Sequence, residues 1–147
     1  MAYLVDTNVL LRLVPKKDPD RKTVLDALRR LSAANEALFY TTQVLAEFWT
    51  VCTRPASARG GYGLSPEKTE RKARLVERYC RLLPDSLATH QEWRRLIVAH
   101  SVCGVEVHDA RLVAAMIVYD VPNVLTFNRA DFRRFPGISV VSPADIK

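Results

Sequence analysis

The stretch Tyr3–Asn8, YLVDTN, sets the pattern for the whole chain. Its apolar residues predict a short buried strand that ends on the carboxylate of Asp6. Four further short apolar runs follow, separated by segments with helical spacing, and they cover residues 37–40, 82–83, 124–127 and 138–141. Short apolar strands that alternate with helices predict a parallel sheet covered on both faces, which is a three-layer α/β/α fold.

Capping residues mark where helices should begin between these strands. The predicted helices are a short one over Val9–Leu13, followed by helices that start at Asp18–Pro19, Thr41–Thr42, Ser65–Pro66, Thr89 and His108–Asp109. Residues 102–107 are expected to form a loop, and Asp131 is expected to cap a short helix that runs through Phe135. The sequence shows no internal repeat and no domain boundary, so we expect a single domain over residues 1–147.

Composition narrows the class of protein. The chain has 147 residues, of which 48% are hydrophobic and 26% charged, and this is enough for one buried core. No apolar run approaches the roughly 18 residues that a membrane helix needs. The first residues do not resemble a secretory signal. We therefore expect a cytoplasmic protein without a membrane partner.

Charge and cysteine content point to a partner and a metal type. The formal net charge of +6 suits a polyanion such as a nucleic acid, because Lys and Arg neutralise phosphates. The three cysteines are far apart in sequence, which argues against disulfides and against a zinc cluster, and each is expected to be a small buried residue. The three histidines lack the spacing typical of zinc ligands.

Three acidic residues lie where a parallel sheet binds its ligands. Asp6 follows the first strand, and ligands of parallel α/β sheets bind beyond the carboxyl ends of the strands. Glu47 shares a helix face with Val44 and Val51, where an ionised carboxylate is costly unless it is paired or bound to a metal. Asp109 lies in the first turn of its helix. Each has an ordinary alternative. These are a helix cap for Asp6, an ion pair with an arginine or a polar edge of the helix for Glu47, and interaction with the helix dipole for Asp109.

Asn128 and Asp131 follow the fourth predicted strand, and turn chemistry is their ordinary alternative. Each of these five residues has an ordinary explanation of its own. Because several carboxylates are expected at one edge of the sheet, a shared metal site is favoured over five unrelated explanations. Oxygen ligands select hard cations, so Mg²⁺ or Mn²⁺ is expected.

At these residues the chain resembles the PIN-domain family, and specifically the VapC-type toxins of prokaryotic type II toxin–antitoxin pairs. The resemblance covers nearly the whole chain, and four segments carry it: Val5–Leu10 (VDTNVL), Thr42–Glu47 (TQVLAE), His108–Ala114 (HDARLVA) and Leu125–Phe132 (LTFNRADF). It implies a sheet in the order 3-2-1-4-5 and an acidic metal pocket formed by Asp6, Glu47 and Asp109.

The resemblance also implies individual roles. The fourth ligand position falls in the segment 126–131, where Asn128 offers a carbonyl oxygen without charge and Asp131 a charge three residues further on. Thr7, Asn8 and Thr126 would support the ligands or contact phosphate, and Arg54 would grip RNA, although an ordinary solvated loop explains Arg54 slightly better.

The function implied is an Mg²⁺- or Mn²⁺-dependent endoribonuclease that leaves 5′-phosphate and 3′-hydroxyl ends. Its partners would be RNA, a cognate antitoxin and a second copy of the chain in a homodimer. Apolar helix surface around Leu28, Phe48 and Trp49 would serve dimerisation or antitoxin docking, unless these residues belong to the core. Two alternatives stay open: a PIN nuclease of RNA processing without an antitoxin, and a catalytically weak PIN domain that binds RNA or protein.

Overall fold

The computed structural model describes residues 1–147 and contains one sheet of five parallel strands in the order β3-β2-β1-β4-β5. This confirms the predicted α/β fold and strand order. The strands are β1 (Ala2–Val5), β2 (Ala37–Thr41), β3 (Arg81–Leu83), β4 (Asn123–Leu125) and β5 (Ser139–Val141). The helices are α1 (Thr7–Leu11), α2 (Arg21–Ala33), α3 (Thr42–Thr53), α4 (Pro66–Tyr79), α5 (Leu87–Ala99) and α6 (Val107–Val118).

Burial follows the strand order. Leu4 in the central strand β1 is fully buried and pairs in register with Phe39 on β2 and Val124 on β4. β3 and β5 are the edges, and Leu82 on β3 is 43% exposed. Helices cover both faces of the sheet, with α5 packed on α6 and α3 in contact with both α1 and α4. A core cluster of 31 buried residues joins the sheet to the helices, and this apolar burial is the main source of stability.

Three predicted helix starts are wrong by two or three residues. α1 covers Thr7–Leu11 rather than Val9–Leu13, because Asp6 is its N-cap. α5 begins at Leu87 because Ser86 is its N-cap, and the Ser86 hydroxyl accepts from the backbone N–H of Thr89 at 3.1 Å. Thr89 is buried one turn inside the helix. α2 begins at Arg21, since the carboxylate of Asp18 instead accepts from the N–H of Asp20 at 2.9 Å and closes a turn before the helix.

Two other predicted caps are correct. The Thr41 hydroxyl accepts from the N–H of Val44 at 3.2 Å at the start of α3. The Ser65 hydroxyl accepts from the N–H of Lys68 at 3.2 Å at the start of α4. Each satisfies a backbone donor that the first helical turn leaves free.

The loops near the sheet edge also differ from prediction. Residues 102–107 contain a 3₁₀ turn, Gly104–Glu106, that runs directly into α6. A second 3₁₀ turn, Arg129–Phe132, has Asn128 at its N-cap position, so the expectation that Asp131 caps a helix through Phe135 is wrong. Phe132 and Phe135 are buried and fix this turn against the core.

β4 ends at Leu125, two residues earlier than predicted, because the backbone N–H of Phe127 bonds the side chain of Asn8 at 3.1 Å instead of a strand. Cys52 and Cys80 are buried, as predicted, and burial raises the pKa of their thiols to about 11 and about 12. Cys103 is exposed, which corrects the prediction for that residue.

Of the apolar residues considered for docking, Leu28 and Phe48 belong to the core, while Trp49 is half-buried against it. None of the helices combines the length and the apolar character needed to cross a membrane.

Candidate active site

Asp6 stands at the junction between β1 and α1. One carboxylate oxygen, Oδ1, accepts from the backbone N–H of Thr7 at 2.7 Å, so Asp6 is the N-cap of α1. The other oxygen, Oδ2, accepts from the hydroxyl of Thr126 at 2.9 Å and from the amide of Asn8 at 3.1 Å. The side chain is only 7% exposed. Asp6 is therefore the helix cap of the ordinary alternative, and its second oxygen is held by Thr126 and Asn8.

Thr126 and Asn8 tie the end of β4 to Asp6. The Thr126 hydroxyl is fully buried, and besides donating to Asp6 it accepts from the Asn8 amide at 3.1 Å and from the backbone N–H of Asn128 at 3.0 Å. Asn8 also accepts from the backbone N–H of Phe127. Because every donor in this network is neutral, Asp6 is held in place without its charge being neutralised.

Glu47 projects from α3 toward α1. Its Oε2 accepts from the hydroxyl of Thr7 at 2.7 Å, and its Oε1 accepts from the side-chain amide of Gln43 at 3.0 Å. The same Gln43 nitrogen donates to the backbone carbonyl of His108 at 3.0 Å. No arginine or lysine pairs with Glu47, so the ion-pair alternative is wrong.

Gln43 is a site residue that the sequence analysis missed. Its four-residue spacing from Glu47 on one helix was the available signal, because side chains at this spacing lie side by side. The backbone carbonyl of His108, one residue before Asp109, could not be found from sequence, since only the fold brings α6 to α3.

Asp109 lies in the first turn of α6, half-buried, and its carboxylate takes part in no hydrogen bond and no ion pair within the chain. Burial, and to a smaller extent repulsion from Asp131, Asp6 and Glu47, together raise its pKa to about 7. Burial likewise raises the pKa of Asp6 to about 6, against the opposing effect of its hydrogen bonds from Thr126 and Thr7. The acids therefore form one electrostatic cluster.

Asn128 and Asp131 border the cluster from the 3₁₀ turn after β4. The side chain of Asn128 is exposed and makes no hydrogen bond within the chain. Asp131 is also exposed, and its charge contributes to the raised pKa of both Asp6 and Asp109. The structure thus brings the predicted acids together electrostatically, while Asn128 joins them only through its backbone.

Arg54 is placed differently. It is the C-cap residue of α3, and its guanidinium donates to the backbone carbonyl of Arg59 at 3.2 Å. This bond braces the loop that leads to α4, so Arg54 has a structural contact and no hydrogen bond to the acids.

The charge of the acid cluster is not balanced by the chain. All nine ion pairs lie elsewhere, and none involves Asp6, Glu47, Asp109 or Asp131. No three His, Cys, Asp or Glu side chains lie close enough together to form a ready-made metal cage. The donor set nevertheless suits a hard divalent cation, because it consists of carboxylate oxygens whose ionised forms now repel one another.

The protein-family model described as the PIN domain matches residues 3–138 of the chain. No curated protein matches the sequence. Several solved structures share the fold. One of them is VapBC2 from Rickettsia felis, solved with a DNA fragment from its promoter. A chain of that complex is 19% identical with a TM-score of 0.68, over 97% of this chain and 98% of that chain.

Two further solved structures are similar over most of their length. VapC20 from Mycobacterium tuberculosis, a toxin that cleaves the sarcin-ricin loop, is 20% identical with a TM-score of 0.63, over 89% of this chain and 93% of that chain. A chain of a toxin–antitoxin complex from Klebsiella pneumoniae is 20% identical with a TM-score of 0.64, over 96% of this chain and 97% of that chain. The family model covers nearly the whole length of this chain, and the strand order agrees with it. The chain therefore belongs to the PIN-domain family.

Proposed function

We propose that this protein is an endoribonuclease that depends on Mg²⁺ or Mn²⁺ and acts as the toxin of a toxin–antitoxin pair. The observation that carries the proposal is the acid cluster at the carboxyl edge of the sheet, which lacks any cationic partner in the chain. A cluster of carboxylates without a protein cation favours a bound metal ion, since repulsion and desolvation otherwise destabilise the charged forms.

Asp6, Glu47 and Asp109 would hold the metal. A divalent ion there supplies Lewis acidity toward the scissile phosphate and lowers the pKa of an attacking water. The chain positions two of these ligands: Thr7 fixes one oxygen of Glu47, and Thr126 fixes one oxygen of Asp6. Asp131 supplies the fourth negative charge in this proposal, because its charge already acts on both Asp6 and Asp109, whereas Asn128 offers a neutral oxygen.

Hydrolysis in this arrangement cleaves the bond between phosphorus and the 3′-oxygen, leaving a 5′-phosphate and a 3′-hydroxyl. Water provides the oxygen added to phosphorus and the proton gained by the leaving 3′-oxygen. The 2′-hydroxyl takes no part. The net charge of +6 supports a polyanionic substrate, and RNA is proposed because structural neighbours include a toxin that cleaves the sarcin-ricin loop.

The decisive experiment is cleavage of a mixed cellular RNA pool with Mn²⁺, with Mg²⁺ and with EDTA, with mapping of the 5′ ends. Asp109→Asn is the sharpest variant, because the carboxylate of Asp109 makes no hydrogen bond that the change would break. We expect activity to fall at least about a hundredfold, since metal catalysis provides several kcal/mol of transition-state stabilisation. Asp6→Asn should also abolish cleavage. It is the less specific variant, because its new amide would face the amide of Asn8 and disturb that hydrogen bond.

Asp120→Asn is the matched control. It makes the same chemical change just after the far end of α6, about 16 Å along the helix axis from Asp109, at a positive φ of 56° that asparagine tolerates. It should keep full activity. Undiminished cleavage by Asp109→Asn, or cleavage in EDTA, would refute the metal-dependent reaction and leave the alternative of a PIN domain that binds RNA or protein without cutting.

The toxin role rests on the likeness to chains of toxin–antitoxin complexes. We propose a cognate antitoxin, a homodimer and a cytoplasmic location on the same ground. Expression of the chain should arrest growth, and co-expression of a small open reading frame found next to its gene should relieve the arrest. Cleavage activity without growth arrest would favour the alternative of a nuclease in RNA processing.

A further inference from the structure

A cavity of about 340 Å³ borders the first turn of α6, the turn that carries Asp109, and has no part in the proposed reaction. It lies between the start of α5 and the start of α6. Its lining residues are Asp85, Ser86, Thr89, His90, Trp93, His108 and Arg111. Because β3 ends at Leu83 and α6 begins at Val107, the cavity opens on the same edge of the sheet as the acids.

The cavity is joined to the acid cluster by direct contacts. His108, in its wall, is the residue before Asp109. The amide of Gln43 spans the two sites, since it donates both to Glu47 and to the backbone carbonyl of His108. The first turn of α6 therefore borders both the cavity, through His108, and the acid cluster, through Asp109.

The chemistry of the lining fits an aromatic ligand next to an anion. Trp93 is half-buried, and its indole N–H donates to the carbonyl of Val107 at 2.8 Å, which fixes the ring. His90 lies against Trp93 with a distance of 5.9 Å between ring centroids. A ring held in place before binding loses little entropy when a second ring stacks on it.

The same wall carries positive charge. Arg111 lies at the mouth with its side chain 42% exposed, and its contact with Asp85 is long, at 3.5 Å. A long and exposed ion pair is weak, so the guanidinium is available to a phosphate.

We propose that this cavity is a subsite for a nucleobase of single-stranded RNA, stacked on Trp93 with His90 at its edge, and with Arg111 on the adjoining phosphate. The proposal rests on the proposed action on RNA. Stacking on an aromatic side chain is tolerant of sequence because every base presents a π face. The subsite would set the register of the strand over the acids, by holding one nucleotide beside the phosphate that is cut.

The chain offers a direct optical test, because Trp49 and Trp93 are its two tryptophans. In the Trp49→Phe variant all indole fluorescence comes from Trp93, and in Trp93→Phe it comes from Trp49. Trp49 is two residues from Glu47 on α3 and hence on a different face of that helix. Each variant is titrated in EDTA with AMP, GMP, CMP and UMP, with a short single-stranded RNA, and with ribose 5-phosphate.

We expect saturable quenching by nucleotides and RNA in Trp49→Phe, none in Trp93→Phe, and none with ribose 5-phosphate. Arg111→Ala in the Trp49→Phe background keeps the ring and its hydrogen bond, and should weaken nucleotide binding roughly tenfold. No quenching by any nucleotide or RNA would overturn the proposal and leave the cavity as a packing gap between α5 and α6. Equal quenching by ribose 5-phosphate would also overturn it, because the site would then bind phosphate only.

The titration contains no metal, so it separates this proposal from the proposed function. Base binding without metal-dependent cleavage of RNA would refute the nuclease and keep the subsite. Cleavage without base binding would keep the nuclease and refute the subsite.

Discussion

One carboxyl group, that of Asp6, serves the fold and the site together. Its Oδ1 caps α1, and its Oδ2 is held by Thr126 and Asn8. Burial disfavours the charged form of this carboxyl group and raises its pKa to about 6. Asp109 illustrates the opposite case, because its carboxylate has no hydrogen bond at all and its pKa is raised to about 7. The first acid is built into the framework, while the second is free to respond to a ligand.

Asp109→Asn should stabilise the metal-free protein at alkaline pH. The pKa of Asp109 is about 7 in the folded chain and 3.8 for an ordinary aspartate. The folded state therefore binds a proton that the unfolded state has released, and stability falls as pH rises from about 4 to about 7. After allowance for solvent screening the gain is about 1 kcal/mol, or a few degrees in Tm.

Thermal unfolding of the parent and of Asp109→Asn in EDTA, at pH 4 and at pH 8, tests this expectation. The two Tm values should agree at pH 4 and separate at pH 8. Addition of Mn²⁺ should then stabilise the parent more than the variant, because a ligand stabilises the state that binds it. A variant less stable than the parent at pH 8 would show that helix-dipole interaction outweighs repulsion at this position.

Thr126→Val should destabilise the chain by about 2 kcal/mol, because it leaves the amide of Asn8, the N–H of Asn128 and one oxygen of Asp6 short of a partner. Thr126→Ser keeps the hydroxyl and is the matched control. Urea unfolding at pH 8 measures both. Full stability of Thr126→Val, which keeps the methyl group but lacks the hydroxyl, would show that the hydrogen-bond network contributes nothing measurable.

At the scale of elements, the site is an assembly of helix starts and strand ends. α1 begins at the end of β1, α6 begins near the end of β3, and the 3₁₀ turn at Arg129–Phe132 follows β4. α3 reaches the same place through Glu47, which lies in its second turn. Gln43 connects α3 to α6 by bonding both Glu47 and the carbonyl of His108, so the distance between two acids depends on the packing of two helices.

Gln43→Met should lower the rate of RNA cleavage about tenfold, because residues that orient a metal ligand typically contribute that much. The effect on Tm should be small, since Gln43 is only partly buried and its Oε1 has no hydrogen bond to lose. Initial rates in Mn²⁺ and thermal unfolding are measured for this variant and for Gln91→Met, a matched change on the exposed face of α5. A drop in Tm that parallels the loss of rate would point to packing, and an unchanged rate would remove Gln43 from the site.

In the whole molecule, unpaired negative charge is concentrated in the acid cluster, whereas the rest of the chain carries the excess of positive charge. Four acids without cationic partners gather at one edge of the sheet, although the chain as a whole carries +6. The net positive charge favours the approach of a polyanion from a distance, whereas the unpaired acids would hold a divalent cation in the proposed function.

Binding of single-stranded RNA in Mg²⁺ to the inactive Asp109→Asn variant should weaken steeply as salt rises, with a logarithmic slope of about −0.7 for each phosphate neutralised. Adding Arg111→Gln should make the slope shallower by about 0.7. Arg78→Gln is the control, because Arg78 lies in the last turn of α4 just before β3, at the amino ends of the strands and so away from the acids. Fluorescence anisotropy against salt concentration gives the slopes. A flat salt dependence, or equal effects of both substitutions, would contradict this assignment.

The sequence by itself determined the alternation of strands and helices, since short apolar runs and capping residues such as Thr41 and Ser65 act locally. It also marked Asp6, Glu47 and Asp109, because a carboxylate after a buried strand or on an apolar helix face is unusual. Only the tertiary structure decided that Gln43 joins Glu47 to α6, and that Trp93 lies against the start of α6. These depend on contacts between residues far apart in the chain, and the distances involved are set by packing across the sheet.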